Sequence, residues 1–345
     1  MKSVTMKDVA IEAGVSTSTV SHVINNTRFV EQRTKERVEE AMGKLSYVPN
    51  TLARSLRKKS TRTIGIIISD ISNSFFTDIV RACEDKANME GYNTILCNSE
   101  EDPEKEKMYL NVLQQKQVDG IIISPTGGNK NLISKIKKFI PIVFVDRYLN
   151  GIDNDYVGID NYQAGYKAVR HLHNCGHKKI AVLYNFAHLS CVQERIEGYK
   201  QAVTDFNLEK DKDLFLPVND VANCDDTRNK IISYLNNKHM PECIFVLNNT
   251  LAIELISVLR ELQYKCPNDL AIMSVIDFYW AWAFQPYLSM IHTSVNDIGK
   301  KAIEILVSRI REEDKETVIF RTPVNLIVRD SCGALKGPVR LSESS

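Results

Sequence analysis

The chain has 345 residues, of which 43% are hydrophobic and 25% charged, with a formal net charge of +1. That length allows two or three domains with real cores, and the ordinary composition excludes a fibrous, low-complexity or disulfide-scaffold protein. No apolar run is long enough to span a membrane and the N-terminus lacks a charged-then-apolar export pattern, so a cytoplasmic location is expected.

The small total charge hides an asymmetry. Residues 1–60 hold eleven Lys/Arg against six Asp/Glu, a net of +5 that leaves −4 for the rest. A basic end of this kind points to nucleic acid. Eight cysteines lie singly along the chain with no C-x-x-C pair, which predicts buried free thiols in a reducing compartment.

Thr5 is placed to cap a helix over Met6–Ala13, where Met6, Val9, Ala10 and Ala13 form one apolar stripe. Gly14 ends that helix, Ser16 is a cap for a second over about Thr17–Asn25, and Thr34 opens a third with Val38, Ala41, Met42 and Leu45 inward. Helix, tight turn, helix and supporting helix make a helix-turn-helix layout. The stretch VSTSTVSHVINNTRFV spends the outward face of the second helix on short hydrogen-bonding side chains, which are poorer helix formers than Ala, Glu or Lys. A helix entering the major groove N-terminus first needs such groups. Thr17, Ser18 and His22 fit base reading, whereas Thr5, Thr19, Ser21, Asn25, Asn26 and Arg28 fit phosphate contacts. The alternative for this stretch alone is a capped helix at a protein interface.

Pro49 stops the third helix, and Asn50 can cap a short segment, Thr51–Arg57, that interleaves Leu52, Ala53 and Leu56 with Arg54 and Arg57. So few residues cannot hold a helix alone in water. The sequence TMKDVAIEAGVSTSTVSHVIN, with Tyr47-Val48-Pro49-Asn50 and Ala53-Arg54-Ser55-Leu56, resembles the DNA-binding head of the LacI (lactose repressor) family, in its purine-repressor branch. The resemblance implies a hinge helix that forms on DNA and inserts Leu56 as a minor-groove wedge. It adds Tyr47, Asn50, Ala53, Arg54, Leu56 and Arg57 to the expected DNA contacts.

From Thr63, short β-branched runs (TIGIIIS, NTILCNS, GIIIS, PIVFVD) alternate with amphipathic segments over 75–90, 103–115 and 129–139. A second series follows, with KIAVLYN, CIFVLN and LAIMSVID as strands. The fold class expected is α/β, with an all-α head and hinge before two lobes of doubly wound parallel sheet. The family resemblance covers this region and implies a periplasmic-binding-protein-like core. The boundaries expected are 1–49 for the head, 50–62 for the hinge, 63–333 for the two-lobed core and 334–345 for a flexible tail.

Ligands of such sheets bind beyond the strands' carboxyl ends. By family resemblance the effector is held by Phe75, Phe76, Arg147, Arg195, Asn249 and Ile276; Trp280 is either a stacking ring or ordinary lobe packing. Asn249 and Ile276 stand where the family usually has acids, which predicts a cleft poor in carboxylates. Arg147 and Arg195 would then suit an anionic or ring-bearing metabolite, with a modified sugar second and loss of effector control third. HLHNCGH, with His171, His173, Cys175 and His177, reads as a helix terminus at Gly176 rather than a metal site, because its spacing is mixed. Gly127-Gly128-Asn129-Lys130 reads as a turn, since it lacks the GK[ST] ending of a phosphate loop.

Together with the family resemblance, these residues predict a DNA-binding regulator, a repressor controlled by a small-molecule effector, acting as a homodimer on a pseudopalindromic operator. No cofactor, metal, membrane or catalytic set is expected. The alternatives are a transport-related solute-binding protein, which would not carry Val4–Leu56, and an effector-independent regulator.

Overall fold

The computed structural model describes residues 4–25, 27–47, 60–218, 224–236, 240–275, 285–313 and 316–334. The chain divides into two compact units, Met1–Thr61 and Arg62–Ser345.

In the first unit, α1 (Met6–Ala13) starts at a capping box: the Thr5 hydroxyl accepts from the Asp8 N–H, and the Asp8 carboxylate accepts from the Thr5 N–H at 2.8 Å. Gly14 ends the helix at φ 60°, and a Cβ there would lie 2.8 Å from Arg37 Nη2. That guanidinium donates to the carbonyls of Ala13 and Gly14 and ties the turn to the third helix, while the left-handed φ favours glycine there. Ser16 Oγ accepts from the Thr19 N–H at 3.1 Å and caps α2 (Thr17–Asn25). The third helix, α3 (Gln32–Lys44), begins before Thr34, at Glu31, which gives no side-chain cap. Val9, Ala10, Ala13, Val20, Val38 and Ala41 form the buried centre, with Met42, Leu45 and Tyr47 packed at its rim. Met6, expected on the inward stripe, is instead exposed, because it sits in the first turn at the edge of this small core.

The second unit opens with β1 (Thr63–Ile68), α4 (Ser74–Met89), β2 (Asn93–Asn98), α5 (Pro103–Gln115), β3 (Gly120–Ile123), α6 (Lys130–Ile136), β4 (Ile142–Val145) and β5 (Asp155–Ile159). The chain then crosses to α7 (Asn161–Asn174), β6 (Ile180–Tyr184), α8 (Ser190–Asp205), β7 (Phe215–Pro217), α9 (Cys224–Leu235), β8 (Cys243–Val246), α10 (Asn249–Glu261), β9 (Ala271–Val275) and β10 (Ser289–His292). It returns through α11 (Val295–Ile310) and β11 (Ile319–Thr322), and crosses again to β12 (Asn325–Ile327). Two six-stranded sheets result, ordered β11-β5-β4-β3-β1-β2 and β12-β10-β9-β8-β6-β7, with three crossings between lobes. The paired strands are parallel except β10 with β12.

Helices cover both sheet faces, so the inner strands read as unbroken apolar runs rather than alternations. Ile64, Ile66 and Ile68 bury into one face of the first lobe, and Ile67, Ile121 and Ile123 into the other. In the second lobe, α7 and α8 approach backbone to backbone. A Cβ on Gly165 would lie 2.1 Å from the Arg195 carbonyl oxygen, and one on Gly198 would lie 2.0 Å from that of Tyr162. The Gly127-Gly128 segment is a turn packed on α5, where Asn129 and Thr126 both donate to the buried Glu106 carboxylate. Burial pushes that carboxyl above its ordinary range. Among the described residues, no helix is long and apolar enough to cross a membrane. The described cysteine side chains are free thiols, with Cys83, Cys97, Cys191, Cys243 and Cys332 buried.

Candidate functional site

The carboxyl ends of strands in both lobes face a shared cavity of about 560 Å³. Its described walls include Phe75, Phe76, Glu101, Arg147, Phe186 and Arg195. Phe75 and Phe76 open α4, where Asn73 caps the helix by accepting from the Phe75 N–H, and their rings meet edge to face at 5.2 Å. The cap thus sets an apolar corner at the cavity's edge.

The two arginines differ. Arg147, after β4, donates from Nη1 and Nη2 to the two carboxylate oxygens of Glu101, both at 2.8 Å, and from Nε to Asp146 at 3.3 Å. Burial alone would lower this guanidinium's pKa, but Glu101 and Asp146 outweigh it and hold the charge on. Arg195, on α8, donates from Nε to Asn161 Oδ1 at 2.8 Å and from Nη1 to the Leu247 carbonyl at 2.6 Å. Both acceptors are uncharged. Among the described residues no carboxylate forms an ion pair with Arg195, which is only 3% exposed.

The expectation of a cleft poor in carboxylates is wrong. Asp70, Glu100, Glu101, Asp102 and Asp146 all line it. Each already has a partner: Ser72 on Asp70, Lys105 on Glu100, Arg147 on Glu101 and Asp146, and the Glu104 N–H on Asp102. The error came from reading only the acids lost at 249 and 276. Applying the strand-end rule to NTILCNSEED and KIAVLYNF as well would have found Glu100, Glu101, Asn185 and Phe186. Glu100, Glu101 and Asp146 hold φ of 54°, 57° and 64°, left-handed backbone that side chains seldom adopt away from functional turns.

Asn249 has also been claimed by a neighbour. Its Nδ2 donates to Asn73 Oδ1 at 2.8 Å, and Asn73 Nδ2 donates back at 3.2 Å, joining the lobes across the cleft. On another side the Tyr148 N–H donates to Ser190 Oγ at 2.9 Å, and Arg321 pairs with Glu194. Ile276 and Trp280 lie outside the described residues.

On the head, Thr17, Ser18 and Arg28 are exposed, while Thr19, Ser21, His22 and Asn25 are half-buried. Several polar groups serve the fold first. Thr5 is held in its capping box, Ser18 and Thr19 hydrogen-bond Ser16, and Asn25 donates back to the Ser21 carbonyl at 2.8 Å. His22 Nδ1 lies 2.9 Å from Thr27 Oγ1, which orients the ring. Thr17 and Arg28 have no side-chain partner among the described residues. Asn26, Asn50, Ala53, Arg54, Leu56 and Arg57 lie outside those residues, so the hinge expectation does too.

Residues 5–50 match the family described as "Bacterial regulatory proteins, lacI family", and residues 61–329 match "Periplasmic binding proteins and sugar binding domain of LacI family". The chain belongs to the LacI family. Relatives of this LacI-family regulator include the HTH-type transcriptional repressor PurR of Vibrio vulnificus (strain CMCP6), 36% identical over 95% of this chain and 98% of that protein. The PurR repressor of Aliivibrio fischeri (strain MJ11) is 34% identical over 95% and 98%. The fold matches the lac repressor dimer bound to operator and the anti-inducer ONPF, with a TM-score of 0.85 at 23% identity over 96% and 99% of the two chains. It also matches a LacI family regulator from Enterococcus faecium with bound ribose, with a TM-score of 0.70 at 29% identity over 79% and 100%. The regulator is thus a DNA-binding repressor type with an effector-binding core, its head of the purine-repressor kind.

Proposed function

We propose that this regulator acts as a homodimer on a pseudopalindromic operator, read by α2, and that a ring-bearing metabolite in the inter-lobe cavity sets its operator affinity. The observation that carries the effector reading is the buried Arg195, whose charge no described carboxylate balances. With two of its nitrogens engaged by neutral acceptors, Nη2 remains to meet an acceptor on a ligand. Phe75, Phe76 and Phe186 offer a flat apolar body its place.

Support for an anionic group narrows to Arg195. Arg147 and Lys105 are neutralised in place, and the described lining carries five acids against Lys105, Arg147 and Arg195, a formal −2. On the head, Thr17, Ser18 and half-buried His22 read bases while exposed Arg28 takes a phosphate. Leu56 is the proposed wedge and Tyr47, Asn50, Ala53, Arg54 and Arg57 are its supporting contacts. The domains proposed are 1–49, 50–62 and 63–333, with 334–345 as a tail.

Operator DNA selected from a random pool, then calorimetry with purine bases, sugar phosphates and neutral sugars, tests both halves. One class of ring-bearing compound should bind and shift operator affinity, and Arg195→Ala should abolish the shift. Tight binding of a free neutral sugar that Arg195→Ala leaves untouched would refute the pocket reading.

A further inference from the structure

Away from the cavity, three donor atoms converge at the edge of the main core, where Cys332 is buried and Cys175 packs against it. His171 lies in the last turn of α7, and Cys175 caps that helix four residues on, which puts both on one face. Cys332, in the turn Asp330–Cys332 far along the chain, meets them there. His171 Nε2 lies 3.2 Å from Cys332 Sγ and 3.4 Å from Cys175 Sγ, and all three donor atoms fall within 4.8 Å of one another.

A ring nitrogen carries either one hydrogen or one lone pair, along one in-plane direction, so it can satisfy one of these sulfurs but not both. Cys332 Sγ also donates to the Arg329 carbonyl at 3.5 Å, yet both sulfurs remain gathered on the one nitrogen. Ligands on tetrahedral zinc, at about 2.0 Å for nitrogen and 2.3 Å for sulfur, stand roughly 3.5 Å apart from N to S. The observed separations are only slightly shorter.

We propose that His171, Cys175 and Cys332 form a soft-metal site for one Zn²⁺ ion, with the fourth tetrahedral position left to water. The donor set is nitrogen and sulfur with no carboxylate, which favours zinc over calcium or magnesium. The surroundings prepare it. His177 Nε2 lies 2.9 Å from the Cys332 carbonyl oxygen, Ser331 Oγ donates to the Ile272 carbonyl at 2.8 Å, and the Ser289 N–H donates to Ser331 Oγ at 2.8 Å. Cys332 is therefore held in place and fully buried, while half-buried His171 and Cys175 leave an approach from solvent.

His173 plays no part, since its ring stacks on Phe206 at 5.0 Å. The helix-terminus reading of HLHNCGH holds as far as it goes, with Gly176 at φ 97°. The motif supplies two ligands, and the third comes from a residue that its spacing could not show. Binding would exchange two thiol protons for the ion and release them to solvent, so affinity should rise with pH. The ion would fasten the C-terminal turn to α7, whose first residue, Asn161, accepts from Arg195.

The test is competition of the reduced full-length protein with a chromophoric chelator for added Zn²⁺, followed by X-ray absorption at the zinc edge. One ion per chain is expected, with two sulfurs and a histidine nitrogen in its shell. Cys332→Ser and His171→Gln should each weaken binding by at least about 100-fold, while Cys97→Ser, a buried thiol elsewhere, should change nothing. His171 is half-exposed, so His171→Gln should match the wild-type thermal midpoint without metal and lose only the rise that Zn²⁺ produces. Unchanged affinity in both ligand variants, or a shell of only nitrogen and oxygen, would overturn the site. So would a reduced protein that binds no zinc and forms a Cys175–Cys332 disulfide in air.

Discussion

The outward face of α2 and the wall of the inter-lobe cavity are both polar, but they hold their polar groups differently. On the head, Thr17 of α2 and Arg28 beyond it are exposed with no side-chain partner among the described residues, and His22 has one ring nitrogen held by Thr27. In the cavity nearly every charge has been matched: Arg147 by Glu101 and Asp146, and Glu100 by Lys105. Among the described residues Arg195 is the exception. Water can satisfy an exposed hydroxyl or guanidinium until DNA replaces it, whereas a buried charge without a partner is costly and is kept only where something repays it. Two arginines that look alike in sequence, in DRY and in QERIEGY, thus differ in role. A strand-end cation is a ligand group only if no neighbour has claimed it.

The largest effect that would sharpen this contrast concerns stability. Arg147→Met leaves Asp146 and Glu101 facing each other with their cation gone, and should cost about 3 kcal/mol, the low end for a broken buried pair because Glu101 keeps some contact with water. Adding Glu101→Gln should restore part of it. Denaturant unfolding of the two variants measures this, and a double variant as unstable as the single would show that the pair does not act as a unit.

Arg195→Ala should act mainly on the ligand. Losing one charged hydrogen bond of roughly 1.5–3 kcal/mol should weaken the effector about 10- to 100-fold by calorimetry. Arg147→Met, by contrast, should change effector affinity far less than it changes stability. Equal losses of ligand from both variants would erase the distinction between the two arginines.

On the head, His22→Ala should cost roughly 1–3 kcal/mol at one base position per half-site. Arg28→Ala should weaken all DNA alike and reduce the salt slope by about one. Binding curves on single-base operator variants at several salt concentrations separate the two. The smallest effect expected is from Asn249→Ala, which removes a reciprocal amide pair between lobes and should shift the thermal midpoint only slightly, at about 1 kcal/mol. Its mark should be faster effector exchange in stopped flow.

The head was legible because helix caps and short-range periodicity are local. Thr5, Gly14 and Ser16 can be read from a few neighbours, and the structure places each at its helix end. Thr34 misled because a favourable cap residue is not always used, and α3 starts one turn earlier without one. The sheets were legible because strands buried on both faces are unbroken apolar runs. The cavity's charge balance was not, since Glu101 and Arg147 meet across 46 residues. Nor was the His171–Cys175–Cys332 cluster, whose third member returns from the far end of the core.

The contact of Gly165 and Gly198 removes all play between α7 and α8. With no side chain at the crossing, there is nothing to compress or to switch rotamer, and the Arg195 carbonyl bears directly on α7. A pull on the Arg195 side chain is therefore not absorbed where it is applied. A displacement of one helix would carry the other with it toward Asp160, where the chain passes between lobes and whose N–H donates to the Thr322 carbonyl on a second crossing at 3.1 Å. A methyl group inserted at Gly165 would act as a shim in that joint: it would push the Arg195 backbone off α7, moving the guanidinium and the helix together.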